Sequence, residues 1–196
     1  MLDRTVLRDR LSEFCDPDHT PFAHPTSRDD ARAKWAAAFA TYVSTIEEAL
    51  TRPPPPPDTH PSLNLAAVEA TFRTTLQLDR DVNGTPEATA DDFAGAWAAA
   101  VGSSGITPAA GALDGSGRTY VFTSFTNIGA LRTQLWTALV AIFRTPAPRT
   151  DAPAETTATR IDRLATAFHD ATRALRASMA WTHPSPASGT SVVGVR

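Results

Sequence analysis

Residues 29–38 read DDARAKWAAA, and residues 91–100 return to the same pattern as DDFAGAWAAA. Each copy follows a residue type that commonly begins helices, Thr26 or Ser27 in the first case and Thr89 in the second. Each then runs into a tryptophan followed by three alanines, where a partner helix can approach closely while the indole fills the adjacent space. The pattern predicts two related helical halves, an internal pseudo-repeat in one chain.

Apolar residues at helical spacing extend this prediction to most of the chain. A second repeated pattern has apolar residues at the same spacing in two segments: Leu65, Val68 and Phe72 in one, and Ile161, Leu164 and Phe168 in the other. The spacing predicts helices over residues 3–14, 28–50, 62–78, 90–101, from 127 onward and 154–181. The β-branched and aromatic residues at 118–123 predict a strand. The predicted fold is therefore mainly α, a bundle of five or six helices with at most one short strand or hairpin near 118–124.

Proline, glycine and serine mark the boundaries between these segments. Pro53 to Pro57 form an uninterrupted run, which predicts an extended spacer or, alternatively, a ligand for a proline-recognising groove. Glycine and serine over residues 102–118 predict a long loop. The predicted regions are an N-terminal helix and Pro-rich loop at 1–26, a first helical half at 27–88, a second at 89–183 and a flexible tail at 184–196.

Composition excludes several classes of protein. The formal net charge of −3 predicts no direct sequence-specific nucleic-acid binding and no attraction to anionic membranes. Lys34 is the only lysine among 18 basic residues, which indicates the codon usage of a GC-rich genome rather than a phosphate site. Cys15 is the only cysteine, so no intramolecular disulfide can form. The N-terminus lacks a signal-peptide pattern, and no apolar run approaches membrane-spanning length, so we expect a soluble protein made inside the cell.

The candidate site with the most chemistry is the loop from Cys15 to His24. It also contains Asp16, Asp18 and His19, so it could hold a transition metal, or Cys15 could act as a nucleophile beside an imidazole. The spacing matches no zinc pattern, and prolines separate the candidate ligands, which favours a solvated loop. We assign no catalytic, metal-binding or cofactor-binding residue and predict no enzyme activity, cofactor or small-molecule substrate.

Paired acidic and clustered basic residues have simpler interpretations. The pairs Asp29–Asp30 and Asp91–Asp92 are predicted to lie in first helical turns, where negative charge stabilises the helix dipole. The four arginines of the last predicted helix fan around it and predict a solvated face rather than a binding face: Arg160, Arg163, Arg173 and Arg176. The predicted packing or interface residues are Trp35, Trp97, Trp136, Phe72, Phe168, Val192, Val193 and Val195.

Taken together, the chain resembles small helical virion proteins of tailed bacteriophages from GC-rich hosts. The resemblance covers most of residues 27–181. Besides the two tryptophan helices, it rests on the Gly105 to Pro108 loop, the proline-punctuated linkers and the closing amphipathic helix around Ile161 to Leu175. It implies a non-enzymatic subunit of a head–tail junction, tail or baseplate, or of a related injection particle. Such a subunit would be made in the bacterial cytoplasm and would contact copies of itself and other particle subunits.

Two other functions remain open from the residues alone. A cytoplasmic helical adaptor could bind a partner protein through its tryptophan–alanine faces or its proline run. An enzyme could use the Cys15–His24 loop.

The C-terminal tail also has two interpretations. Ser191 to Val195 could add as a strand to a neighbouring chain, or the segment could be disordered.

Overall fold

The computed structural model describes residues 2–45, 62–78, 84–107, 110–111, 118–145, 155–183 and 187–194. The helices in these ranges are α1 (Arg4–Cys15), α2 (Arg28–Val43), α3 (Leu65–Thr75), α4 (Pro86–Ser104), α5 (Ile128–Arg144) and α6 (Thr157–Arg173). The strands are β1 (Ser62–Leu63), β2 (Ile106–Thr107), β3 (Ala110–Gly111), β4 (Thr119–Phe125), β5 (Arg176–His183) and β6 (Ala187–Gly194). The prediction of a mainly helical protein with five or six helices is confirmed.

Most helices begin at a residue whose side chain satisfies an otherwise unbonded backbone N–H group. These caps are Asp3, Ser27, Asn64, Thr85 and Thr156. A cap of this kind typically contributes about 1 kcal/mol to helix stability. Helix α3 starts after Asn64 rather than at the predicted Ser62, which lies in β1.

The helices form a closed ring in chain order. Each helix packs against the next one along the chain, and α6 returns to pack against α1. An ion pair between Arg4 of α1 and Asp162 of α6, at 3.5 Å, spans this closing contact. The first and last helices are thus neighbours in the same ring.

A single apolar core fills the ring. All six helices contribute to it. Each provides at least one fully buried side chain; from α1 to α6 these are Leu7, Phe39, Phe72, Trp97, Leu135 and Phe168. The predicted apolar stripes on α1, α3 and α5 face this core. On α2, the sequence places Phe39, Tyr42, Ile46 and Leu50 at the helical spacing of one apolar stripe; Phe39 and Tyr42 are buried, whereas Ile46 and Leu50 lie outside the described residues. The two predicted halves therefore share one core.

The internal pseudo-repeat is not shown. Helix α4 begins at Pro86 under a Thr85 cap, so Thr89 and the Asp91–Asp92 pair lie inside the helix. In α2, by contrast, Ser27 is the cap, and Asp29 and Asp30 occupy the first turn. The matching residues therefore lie at different distances from the N-terminal ends of their helices. Proline at the first helical position explains the earlier start, because its fixed φ suits a helix and it needs no N–H partner there.

The strand content exceeds the predicted single strand or hairpin. The predicted strand at 118–123 is confirmed as β4, but it belongs to a four-stranded antiparallel sheet in the order β3-β4-β5-β6. A second, two-stranded sheet pairs β1 with β2, and β2 lies in the predicted loop at 102–118. Gly105 ends α4 with φ of +59°, a conformation that glycine adopts without steric cost, and turns the chain into β2.

The C-terminal region differs most from the sequence prediction. The last helix ends at Arg173 rather than near Trp181, and residues 176–183 form β5. Here Ala177 and Met179 are buried between more exposed neighbours, a period of two that favours a strand over a helix. The predicted flexible tail at 184–196 is also corrected, because residues 187–194 form β6 and pair with β5 along their whole length.

Several predicted linkers lie outside the described residues. They are the Pro53–Pro57 run and the prolines at 108, 146, 148 and 153. No helix in the described part of the chain is long and apolar enough to cross a membrane.

Candidate functional site

The Cys15–His24 loop is organised by local hydrogen bonds. The Asp16 carboxylate accepts the Asp18 N–H at 3.1 Å, and the Asp16 carbonyl accepts the His19 N–H at 3.0 Å. His24 Nδ1 lies 2.7 Å from the Pro25 carbonyl oxygen. Within the residues that the structure describes, no three His, Cys, Asp or Glu side chains come together as a metal site would require. The loop therefore offers turn-forming contacts rather than a set of converging ligands.

Cys15 packs partly buried against the core at the end of α1. Burial raises the pKa of its thiol to about 12, and the neighbouring Asp16 charge acts in the same direction. Since the thiolate is the reactive form, this environment opposes nucleophilic chemistry at neutral pH.

We expect iodoacetamide to label Cys15 in the folded protein at least about a hundredfold more slowly than in denaturant, because so little thiolate forms. The measurement is the labelling rate by intact mass at near-neutral pH, with Cys15→Ser as the unlabelled control. Equal rates in the folded and denatured protein would contradict the buried, protonated thiol.

The aspartate pairs have different roles in the two helices. Asp30 accepts the Thr26 N–H at 2.8 Å, and this hydrogen bond lowers the pKa of its carboxyl at the start of α2. Asp91 instead lies in the second turn of α4, where it pairs with Arg132 of α5 at 2.5 Å. The helix-start interpretation is confirmed for the first pair and wrong for the second, which contributes a contact between helices.

Two of the four arginines predicted to form a solvated face differ from that prediction. Arg160 and Arg163 both reach the mostly buried Glu155 carboxylate, with Arg163 Nη1 at 2.5 Å. Arg160 also donates a hydrogen bond to the Thr145 carbonyl at 2.6 Å. These two arginines tie the end of α5 to the start of α6 instead of facing solvent, whereas Arg173 of α6 and Arg176 of β5 are exposed as predicted.

A polar pair connects α2 with α6 at the edge of the core. The Tyr42 hydroxyl lies 3.1 Å from Nδ1 of His169, which is half-buried. Burial lowers the pKa of His169 below its ordinary value; Asp170 opposes this shift, and Arg173 and Arg4 reinforce it. The neutral imidazole can accept the hydrogen bond that the tyrosine hydroxyl donates.

This pair predicts a pH dependence of stability. Because the folded pKa of His169 lies below the unfolded value of about 6.5, the unfolded chain binds more protons between the two values. The stabilisation is complete above the unfolded pKa and is lost as pH falls through the folded pKa. We expect the Tm to decline on acidification through this range and His169→Gln to reduce that decline. His24→Gln, at an exposed ring, is the matched control, and an unchanged decline in His169→Gln would contradict the assignment.

The predicted packing residues divide into core and surface. Trp97, Phe72 and Phe168 are fully buried, and Trp35 packs partly buried against the core. Trp136 is half-buried and donates its indole N–H to the Glu87 carbonyl at 3.2 Å. In the tail, Val192 is 62% exposed in β6. Val193 lies in the same strand, and Val195 lies outside the described residues.

The four-stranded sheet carries its own small apolar cluster. Tyr120, Ala177 and Met179 are buried on one face, with Phe122, Phe125 and Trp181 packed against them. Phe125 also packs against the core of the helix ring. At the same end, the Asn127 side chain donates to the Ala174 carbonyl at 2.8 Å and accepts the Arg176 N–H at 3.0 Å. Asn127, just before α5, thereby links the end of α6 to the start of strand β5.

Close packing fixes the position of β6 on this sheet. The Trp181 ring lies so near Gly189 that a Cβ atom there would be 2.6 Å from the indole. The Arg118 guanidinium also lies 4.2 Å from the centroid of the same ring, a cation–π distance. Glycine at position 189 is thus required by the close approach of the indole, and β6 is part of the folded sheet.

The outer edge of β6 lacks the features that usually protect a strand at the edge of a sheet. Among the described residues β6 is the last strand of its sheet, with no further strand paired to it. Its sequence, ASGTSVVG, contains no charged residue and no proline, and its register with β5 is continuous from Ala187 to Gly194. Folded proteins usually protect an edge strand with charge, proline, a bulge or short length. An edge without these features is suited to pairing with another strand.

A cleft lies between α1 and α2. The cleft has a volume of about 290 Å³, with Phe14, Ala37 and Ala38 among its apolar lining residues. Arg10 and Glu13, which pair with each other at 2.9 Å, also line it. The cleft offers apolar contact beside charged groups, but these two charges already partner each other.

Comparison with known proteins gives no family model, no curated protein and no solved structure that matches this chain.

The edge strand was only partly visible in the sequence. The tail valines suggested a strand, but the flanking Ser, Gly and Pro residues favoured a flexible tail. The signal that was missed is the alternation from Ala177 to Trp181, which supplies the strand that β6 pairs with.

Proposed function

We propose that this chain is a non-enzymatic structural subunit of a tailed-phage or phage-tail-like particle, acting by packing against copies of itself and neighbouring subunits. The particle assignment comes from the resemblance carried by residues 27–181. The mode of action rests on a separate observation, the unprotected edge of β6.

The edge strand supports assembly because its backbone groups provide a template for another strand. Addition of a strand to a sheet edge gives affinity through main-chain hydrogen bonds. The exposed Val192 side chain adds apolar surface beside this edge. The closed helix ring with its single core supplies a compact body that holds the sheet in place.

The alternative is a helical adaptor that binds a different protein. Its predicted docking faces are disfavoured, because Trp97, Ala96 and Ala100 are fully buried and Ala36 and Ala38 are buried on α2. The proline run lies outside the described residues. The cleft between α1 and α2 is the feature that favours an adaptor, since it combines apolar and charged lining residues.

The mass of the purified full-length chain in solution tests the proposed function. We expect light scattering over a tenfold dilution series to show a defined oligomer larger than a dimer, or a mass that grows with concentration, relative to the 20.9 kDa chain. A mass that never exceeds a dimer at any concentration would contradict the particle-subunit proposal. A strict monomer would favour the adaptor.

A further inference from the structure

We infer that β6 pairs antiparallel with β6 of a second copy of this chain, across a two-fold axis perpendicular to the sheet. The two sheets then join into one continuous sheet through the middle of the dimer. This inference rests on the proposed function, in which copies of the chain pack against one another, and names one contact between them.

The chemistry of β6 favours its own copy as the partner. In a two-fold contact each surface meets itself, so any charge near the axis would face an identical charge. Strand β6 has no charge along its eight residues, so the pairing of two copies brings no like charges together. The residues that point outward from it, including Thr190 and Val192, are small or β-branched and suit cross-strand contact.

The opposite edge of the sheet is a poorer partner. Strand β3 already covers Tyr120 and Val121 of β4. Beyond them, the register of β4 shifts between Phe122 and Ser124, and the Thr123 hydroxyl donates to the Ser178 carbonyl at 2.7 Å. A bulge of this kind twists an edge and protects it from pairing. Within the described part of this edge, head-to-tail addition of β6 would therefore meet a short, irregular segment.

The geometry of the two-fold contact brings position 190 close to its own copy. Two antiparallel strands related by such an axis place residues of the same face opposite each other. With the axis at Thr190, this residue meets itself and Val192 meets Ser188. With the axis at Ser191, Thr190 meets Val192 and lies diagonal to the other Thr190. In either register, a charged side chain at position 190 lies close enough to the same side chain of the second copy for the two charges to interact, as directly opposite or diagonal cross-strand neighbours do.

A charge-swap experiment tests this contact on the full-length chain. Thr190 is exposed, so Thr190→Lys and Thr190→Glu should fold normally, which far-UV circular dichroism and the Tm check. We expect each variant alone to raise the dimer dissociation constant by about tenfold or more, measured by sedimentation velocity over a dilution series. An equimolar mixture of the two should recover wild-type association, because lysine then faces glutamate.

Thr119→Lys is the matched control. Thr119 is exposed on β4 of the same sheet but away from the β6 edge, so the dissociation constant should not change. Association lost in Thr119→Lys would indicate stacking of sheet faces and overturn the edge contact. Association unaffected by Thr190→Lys, or not restored in the mixture, would also overturn it.

The outcomes separate this inference from the proposed function. A larger wild-type assembly that ignores both Thr190 variants keeps the proposed function and rejects the β6 contact. A wild-type dimer that follows the charge swap but never grows larger keeps the contact and rejects the particle subunit. A wild-type monomer at every concentration rejects both.

Discussion

We expect Trp97→Ala to lower the free energy of unfolding by about 3–5 kcal/mol, a large share of the stability of a domain this size. Trp97 is fully buried on α4. Its indole N–H donates to the Thr172 hydroxyl of α6 at 3.0 Å, and that hydroxyl donates to the Phe168 carbonyl at 2.7 Å. The substitution removes the largest buried side chain and a buried hydrogen bond between two helices of the ring.

Trp136→Ala provides the matched comparison. Trp136 is also a tryptophan with a bonded indole N–H, but it is only half-buried, on α5. Its replacement should cost clearly less than that of Trp97, because less apolar surface returns to water. Urea unfolding followed by circular dichroism measures both values. A Trp97→Ala protein that unfolds at the wild-type urea concentration would show that α4 does not pack in the ring as described.

The helical part of the fold was readable from the sequence because its signals are local. The apolar stripe of α5, including Leu131, Leu135 and Leu139, gives its buried face directly. Caps such as Ser27 likewise act within one turn of the helix. Stripe and cap therefore suffice to predict a helix and its inward face without knowledge of its neighbours.

The pseudo-repeat is not shown in the structure, because identical residues of the two segments have different surroundings. Trp35 is partly buried at 4.7 Å from the Phe93 ring, whereas Trp97 is fully buried and bonded to Thr172. Burial and partner depend on helix position in the ring, which sequence similarity between two segments does not fix. Because α4 begins at Pro86 after the Thr85 cap, Asp91 lies in the second turn of the helix, where it pairs with Arg132 of α5.

The sheet was missed because its stability depends on partners distant in the chain. Strand β5, with the sequence RASMAWTH, contains the helix-favouring residues Ala177 and Ala180 as well as the alternation typical of a strand, so the sequence supports both a helix and a strand there. Pairing of β5 with β4, far earlier in the chain, decides the competition. The candidate edge exists only once that pairing has formed, so the sequence alone could suggest a strand in the tail but not its place in a sheet.

Phe168→Ala should also lower the free energy of unfolding by about 3–5 kcal/mol. The Phe168 ring of α6 lies 5.9 Å from Phe39 and 6.3 Å from Trp35, both on α2. It also lies 6.4 Å from Phe93 of α4, centroid to centroid. This side chain therefore joins residues of both predicted halves in one aromatic cluster, and its loss leaves a cavity between three helices.

The shape of the transition matters as much as its midpoint. Because one core serves all six helices, we expect Phe168→Ala to shift a single cooperative transition, with circular dichroism and tryptophan fluorescence changing together. Phe22→Ala, at a ring 37% exposed, is the control and should change the free energy by less than about 0.5 kcal/mol. If the halves had separate cores, Phe168→Ala would split unfolding into two steps and leave the first half at its wild-type midpoint. Such a split would contradict the shared core, since α2 could not then depend on a side chain of α6.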